Sequence, residues 1–215
     1  MINFEKAEKE FFNYTENYDT TNPNIHRKIY HSLRVMELCR KIAESLNLNK
    51  EQCDLAALIG LLHDISRFEQ YRLYQSFSDI NLDHGDNAIK ILEDNNFIRK
   101  FIETDKYDEI IKIAIKNHNK FKIQDGIDGD YLMYSKIIRD ADKLDIFYEA
   151  VNMFWKSDEE IKQIEDSYIS EDYIEQIKLQ KSIKKERKNR PILDKVVFVI
   201  TLIFDIILNI HLIIF

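Results

Sequence analysis

His31, the adjacent His63-Asp64, His84, His118 and Asp142 are imidazoles and carboxylates set among apolar residues. His63 and Asp64 close the run LIGLLHDI, and Asp142 lies in IIRDADKLDIF. Burying such groups without partners costs several kcal/mol. A shared divalent cation removes that cost, because imidazole nitrogens and carboxylate oxygens are its natural ligands. Taken singly, His31, His84 or His118 reads as an ordinary hydrogen-bonded histidine. The adjacent His63-Asp64 pair changes that reading, since it has little packing reason to end an apolar helix. RDADKLD adds Asp140, Asp142 and Asp145 to a helix that otherwise reads as buried. Asp142 and Asp145 share a helical face. Asp142 is assigned as a ligand and Asp145 as a helix-surface or outer acid that orients it. Asp140 is the rival of Asp142 for the ligand role.

The elements that must position these residues read as helices. The chain has 215 residues with only 4 Gly and 2 Pro, so hairpin punctuation is scarce. An amphipathic helix is expected over 3–17. Asn22-Pro23-Asn24 breaks it and starts a helix that runs to about Leu46, with Ile29, Leu33, Met36 and Ile42 at helical spacing. Asn49 and Gln52 suit a capping box for DLAALIGLLHDI, which is apolar nearly all round and belongs in the centre of a bundle. Residues 67–83 are polar and aromatic, and read as loop with a short helix. Further helices are expected from about Asp83, from Tyr107 to His118, and from about Asp130 to Trp155. QDGIDGD lacks the spacing and closing Glu of a calcium loop and reads as a turn.

Bulk properties bound the function. A length of 215 residues supports one substantial core, and 45% hydrophobic with 32% charged residues is a globular composition. A net charge of -7 argues against nucleic acid as the partner. Cys39 and Cys53 form no CxxC and read as buried, reduced thiols of a cytoplasmic protein. MINFEKAEKEFF has no apolar core of the secretory type.

The order His31, His63-Asp64, Asp142 resembles the HD-domain superfamily of metal-dependent phosphohydrolases, over about Ile25 to Phe147. LLHDISRFEQYRLYQSFSD followed by DHGDNAIKIL is similar to small stand-alone bacterial HD proteins. The resemblance implies an all-α, single-domain helical bundle with an N-terminal helix over 1–24, a core over 25–156 and a helical extension over 157–215. It implies His31, His63, Asp64 and Asp142 as metal ligands. It also places His84 and His118 where two-metal members carry theirs, with Asp64 as the bridge. The alternative for His84 is a helix-cap or surface role beside Asp83 and Asp86. The cofactor is one or two divalent ions, with Mn, Fe, Mg, Co, Ni and Zn not distinguished. Ser66 stands where the family usually has Gly, which can alter the turn but not the ligand set. The motifs of cyclic di-GMP phosphodiesterases and of alarmone hydrolases are missing.

The activity so implied is hydrolysis of a nucleotide or other small phosphate ester by a metal-bound hydroxide. Lys143 and Arg67 are the candidate cations for the phosphoryl oxygens, with salt bridges to nearby carboxylates as their alternative. Tyr71, Tyr74 and Phe77 either wall a base or sugar pocket or pack in the core. Two other classes remain: an HD-type diiron oxygenase and a non-catalytic, ligand-sensing HD module. The partner is a small, nucleotide-like phosphorylated molecule rather than nucleic acid, with a homodimer left open.

Residues 196–215 form an apolar run behind the basic KKERKNR. Its length suits a membrane anchor, but an Asp near a span centre costs about 2.5–3.5 kcal/mol. Thr201, Asp205 and Asn209 instead form one polar stripe. A buried closing helix is therefore expected, with membrane contact as the disfavoured alternative. The charged run from Lys178 to Arg190 reads as a solvated helix face and linker.

Overall fold

The computed structural model describes residues 2–152, 157–183 and 191–208, and their regular structure is entirely helical. The all-α expectation holds. Helix ends fall where the local chemistry places them. Helix α1 (Phe4–Thr15) begins at Asn3, whose side chain accepts from the Lys6 amide at 3.0 Å. Helix α2 (Pro23–Ser45) begins at Asn22, with Pro23 in the first position. Helix α3 (Lys50–Leu62) carries the Asn49/Gln52 capping box, both bonds at 3.0 Å. Such caps satisfy backbone N–H groups that have no partner inside the helix.

Helix α3 is the centre of the bundle, with every residue from Cys53 to Leu62 buried. Helix α2 packs along it. Asp54, inside this apolar helix, is neutralised by Arg40 at 2.6 Å and Lys50 at 3.0 Å. Burial alone would raise its carboxyl pKa; these two cations more than offset that and hold it below the usual range. Cys39 and Cys53 are buried free thiols, as expected.

Helices α2 and α3 approach closely at Gly60. A Cβ there would lie 2.8 Å from the Met36 Cα and 2.9 Å from the Val35 carbonyl oxygen, both fixed backbone atoms. Gly60→Ala must push the helices apart and should cost about 1–3 kcal/mol, as overpacked cores do. Urea unfolding measures this; an unchanged midpoint would mean the helices separate freely.

The remaining elements of this first compact unit extend to Asp142. They are α4 (Arg67–Tyr74), α5 (His84–Glu93), a 3-10 segment (Asp94–Lys100), α6 (Asp108–His118) and the first part of α7 (Gly129–Asn152). The long helix expected to reach Trp155 is followed as far as Asn152, beyond which 153–155 lie outside the described residues. Asp83 caps α5, accepting from the Asp86 amide at 3.0 Å. The start of α5 lies against the end of α6. A Cβ on Gly85 would come within 3.2 Å of the Ile115 carbonyl oxygen.

The residues from Lys143 to Leu208 form a second compact unit. It holds the end of α7, then α8 (Asp158–Glu165), α9 (Glu171–Lys178), α10 (Ile192–Thr201) and a 3-10 turn (Leu202–Asp205). Tyr173, Ile183 and Val197 make its small core. Buried Asp194 accepts from the Ser170 amide at 2.9 Å and hydroxyl at 2.6 Å, pinning the start of α9. Of the charged run that begins at Lys178, residues 184–190 lie outside the described residues.

The closing helix expected over 196–215 is corrected. Helix α10 ends at Thr201, and the backbone is extended by Ile206. Asp205 sits in the 3-10 turn with its carboxylate 3.0 Å from the Lys143 ammonium, a pairing that stands in place of one more helical turn. Thr201 is buried, as the polar stripe requires, but Ile200, Ile203, Phe204 and Ile207 are exposed. Asn209, the third stripe position, lies outside the described residues. Among the described residues no helix is long and apolar enough to cross a membrane.

Candidate metal centre

Two of the histidines end helices. His63 follows the last residue of α3, and its Nδ1 is 2.7 Å from the Gly60 carbonyl oxygen. His118 is the last residue of α6, and its Nδ1 is 2.6 Å from the Ile115 carbonyl oxygen. Carbonyls in a last helical turn have no N–H partner inside the helix. Each ring fills that place by donating from Nδ1, which leaves Nε2 as a bare lone pair. His84, at the start of α5, has its Nδ1 2.7 Å from Asp79 Oδ1, a carboxylate that can only accept. Its Nε2 is also a lone pair.

These lone pairs converge. His84 Nε2 and His118 Nε2 are 2.9 Å apart, and the His63 lone pair faces His31 Nε2 at 3.2 Å. Burial pushes the His63 imidazole down to about 4, the nearby His118 and His31 adding to this against Asp64 and Asp142. Burial, with Arg67 nearby, pushes His84 down to about 3. Both rings are therefore neutral donors at pH 7. Facing lone pairs repel unless a cation sits between them, so the donor set fits a metal. The C-terminal ends of α3 and α6, with their partial negative charge, favour one further.

Asp64 stands between the two imidazole pairs. Its Oδ2 is 3.4 Å from His31 Nε2 and 3.6 Å from His63 Nε2. Its Oδ1 is 3.5 Å from His84 Nε2 and 3.6 Å from His118 Nε2. One carboxylate thus completes two ligand groups, His31–His63–Asp64 and Asp64–His84–His118, all buried. Burial would raise the Asp64 carboxyl, but Lys28, His63 and Arg67 hold it well below the usual range.

Asp142 joins the first group, its Oδ1 3.2 Å from His31 Nε2 and 3.8 Å from His63 Nε2. Its side chain is one-fifth exposed, the most open of the candidate ligands. Burial would raise its carboxyl also, and the bond to His31 overrides this and lowers it. Asp140 is buried as well. Asp145 is buried rather than on the helix surface.

The structure gathers His31, His63, Asp64, His84, His118 and Asp142 into one centre. Lys143 and Arg67 each meet a carboxylate. Lys143 is buried and pairs with Asp205. The Arg67 Nη1 donates to Gln70 Oε1, the Phe77 carbonyl and Asp79 Oδ1, at 2.7, 2.8 and 2.9 Å. The salt-bridge alternative describes both.

A further cation on the centre is not among the two that the sequence proposes. Buried Lys28 donates to Asp64 Oδ2 at 2.7 Å. Its signal was present, since Lys28 is one turn before His31 on the same face of α2. Ser66 also proves more than a turn residue, donating to the His84 carbonyl at 2.6 Å. Of the aromatic cluster, Tyr74 is exposed, while Tyr71 and Phe77 stack 5.0 Å apart. Arg27, Lys28 and Arg67 lie 5.4–5.9 Å from the Phe77 ring centroid. Arg139 braces the second group from α7, donating to the carbonyls of Asn117 at 3.0 Å and Lys120.

A crystal structure described as a predicted HD superfamily hydrolase from an uncultured Thermotogales bacterium is similar to this chain at 21% identity. It covers 72% of this chain and 80% of its own, with a TM-score of 0.46. No curated protein matches. The model of the HD domain matches residues 29–146, more than half the chain and the whole span from His31 to Asp142. The chain belongs to the HD-domain family.

Proposed function

We propose that this protein is a metal-dependent phosphohydrolase acting on a nucleotide or other small phosphate ester. The observation that carries the reading is Asp64, whose two oxygens face two separate imidazole pairs. His31, His63, Asp64 and Asp142 would hold one divalent ion, and Asp64, His84 and His118 a second. Bound there, such ions lower the pKa of water and withdraw charge from phosphoryl oxygens.

The chain's own residues set the rest. The Nδ1 bonds of His63 and His118 to helix carbonyls keep both rings in the tautomer that offers Nε2. Asp142, partly open, marks the side on which solvent reaches the first group. Lys28 and half-buried Arg27 lie beside Phe77, so two cations and a ring face share one edge of the centre. That edge suits an anionic group attached to a flat base or sugar.

The test is phosphate release from a panel of nucleotides and sugar phosphates, with Mn, Co, Ni or Fe supplied in turn. Release that depends on metal and vanishes in Asp64→Ala is expected. A metal-loaded protein that releases no phosphate from the panel, or an iron-loaded one that consumes oxygen, would overturn the proposal.

A further inference from the structure

The loop over 75–83 is irregular, yet it is pinned from below. Gln70 Nε2 donates to the carbonyls of Ser78 at 3.0 Å and Leu82 at 3.1 Å. Arg67 Nη1 donates to the Phe77 carbonyl at 2.8 Å. Both side chains are buried on α4, the helix that follows the His63-Asp64 turn. The loop is thereby held on the same support as Asp64. What it delivers is one carboxylate: Asp79 Oδ1 lies 2.7 Å from His84 Nδ1 and 2.9 Å from Arg67 Nη1. Arg67 also reaches the bridging acid, its Nε 3.4 Å from Asp64 Oδ1.

Two groups contend for His84 Nδ1. The Asn119 Nδ2 lies 3.2 Å away, and as a donor it would want a lone pair there. Asp79 is closer and charged, so it wants an N–H. A charge-assisted bond is about twice as strong as a neutral one. Asp79 therefore wins, and His84 carries its proton on Nδ1 with Nε2 turned to Asp64 and His118. The same amide of Asn119 has a better partner in Asp83 Oδ1 at 3.0 Å. His63 and His118 receive the equivalent constraint from backbone carbonyls of their own helices. His84 starts its helix and has no such carbonyl, so its constraint must come from elsewhere in the chain.

We infer that Asp79 is a positioning residue for the second ligand group: it fixes the His84 tautomer and raises the donor strength of its Nε2. This rests on the two-ion reading above. Its carboxylate acts through the imidazole and touches neither substrate nor metal. Outer partners of this kind typically govern 10–100-fold in metal affinity.

The experiment compares wild type, Asp79→Leu and Asp79→Asn by Mn titration and by long-range 1H–15N spectra of the histidine rings in metal-free protein. Asp79→Leu is expected to weaken one of two Mn sites about 10–100-fold and leave the other unchanged. In its spectra His84 should lose the Nδ1–H form. Asp79→Asn keeps an acceptor oxygen, so it should keep that form and weaken the same site less. Two sites of wild-type affinity in Asp79→Leu, or an unaltered His84 tautomer, would overturn the inference. If Asp79→Leu does not fold, a His84 tautomer lost in Asp79→Asn, or a Mn site weakened there as much as 100-fold, would do so. Wild type with fewer than two Mn sites would instead sink the two-ion reading, and the ring spectra would still decide the role of Asp79.

Discussion

Asp64→Ala is expected to strip metal from both ligand groups at once and to lower phosphate release by on the order of 10³-fold or more. No other candidate ligand should do this. The oxygens of Asp64 lie within 3.6 Å of His31, His63, His84 and His118. His118→Ala, by contrast, should remove the second ion and spare the first. The same Asp64 substitution has a structural cost. Lys28 keeps only 11% of its side chain exposed and would lose its 2.7 Å partner. An ion left buried without its partner costs about 3–5 kcal/mol. Metal content by elemental analysis, set beside urea unfolding, separates the two effects. Asp64→Ala protein that folds and retains even one equivalent of metal would refute the bridging role.

Lys28→Met tests the centre from the other side. In the metal-free protein Lys28 supplies the positive charge nearest Asp64 Oδ2, with Arg67 Nε at 3.4 Å from the other oxygen. Removing the ammonium leaves the carboxylate partly uncompensated, at a cost approaching about 3 kcal/mol. A divalent ion at the first ligand group takes over that charge. Lys28 and the ion therefore compete for one oxygen, and the variant should bind the ion more tightly than wild type. Each factor of ten in affinity corresponds to about 1.4 kcal/mol. The measurement is the rise in Tm on adding saturating Mn, since a ligand that binds only the folded state stabilises it in proportion to its affinity. Lys28→Met should start lower and rise further. A smaller rise than in wild type would mean that Lys28 supports the ion rather than displaces it.

Most of the buried histidine and aspartate cluster could be read from residue type and order, because a buried imidazole or carboxylate must find a partner wherever it lies. The helices could also be read, since their caps are local: Asn22-Pro23, Asn49 with Gln52, and Asp83 each act within one turn. The closing helix could not. Apolar periodicity over 196–215 argued for continuation, whereas the chain turns after Thr201 and Asp205 pairs with Lys143. That partner is remote in sequence, so no local pattern announces it.

The roles of the cations divide in the same way. Lys143 and Arg67 stand beside Asp142 and Asp64 in sequence, whereas Lys28 reaches Asp64 from 36 positions away. Sequence alone determined that the chain is helical and that its histidines and aspartates follow the order of an HD domain. Only the tertiary structure decided that Lys28 donates to Asp64 and that Asp79 reaches His84. The physical reason is reach. Caps and helical faces depend on residues one turn apart, while a charged hydrogen bond is settled within about 3 Å in space, whatever the separation along the chain.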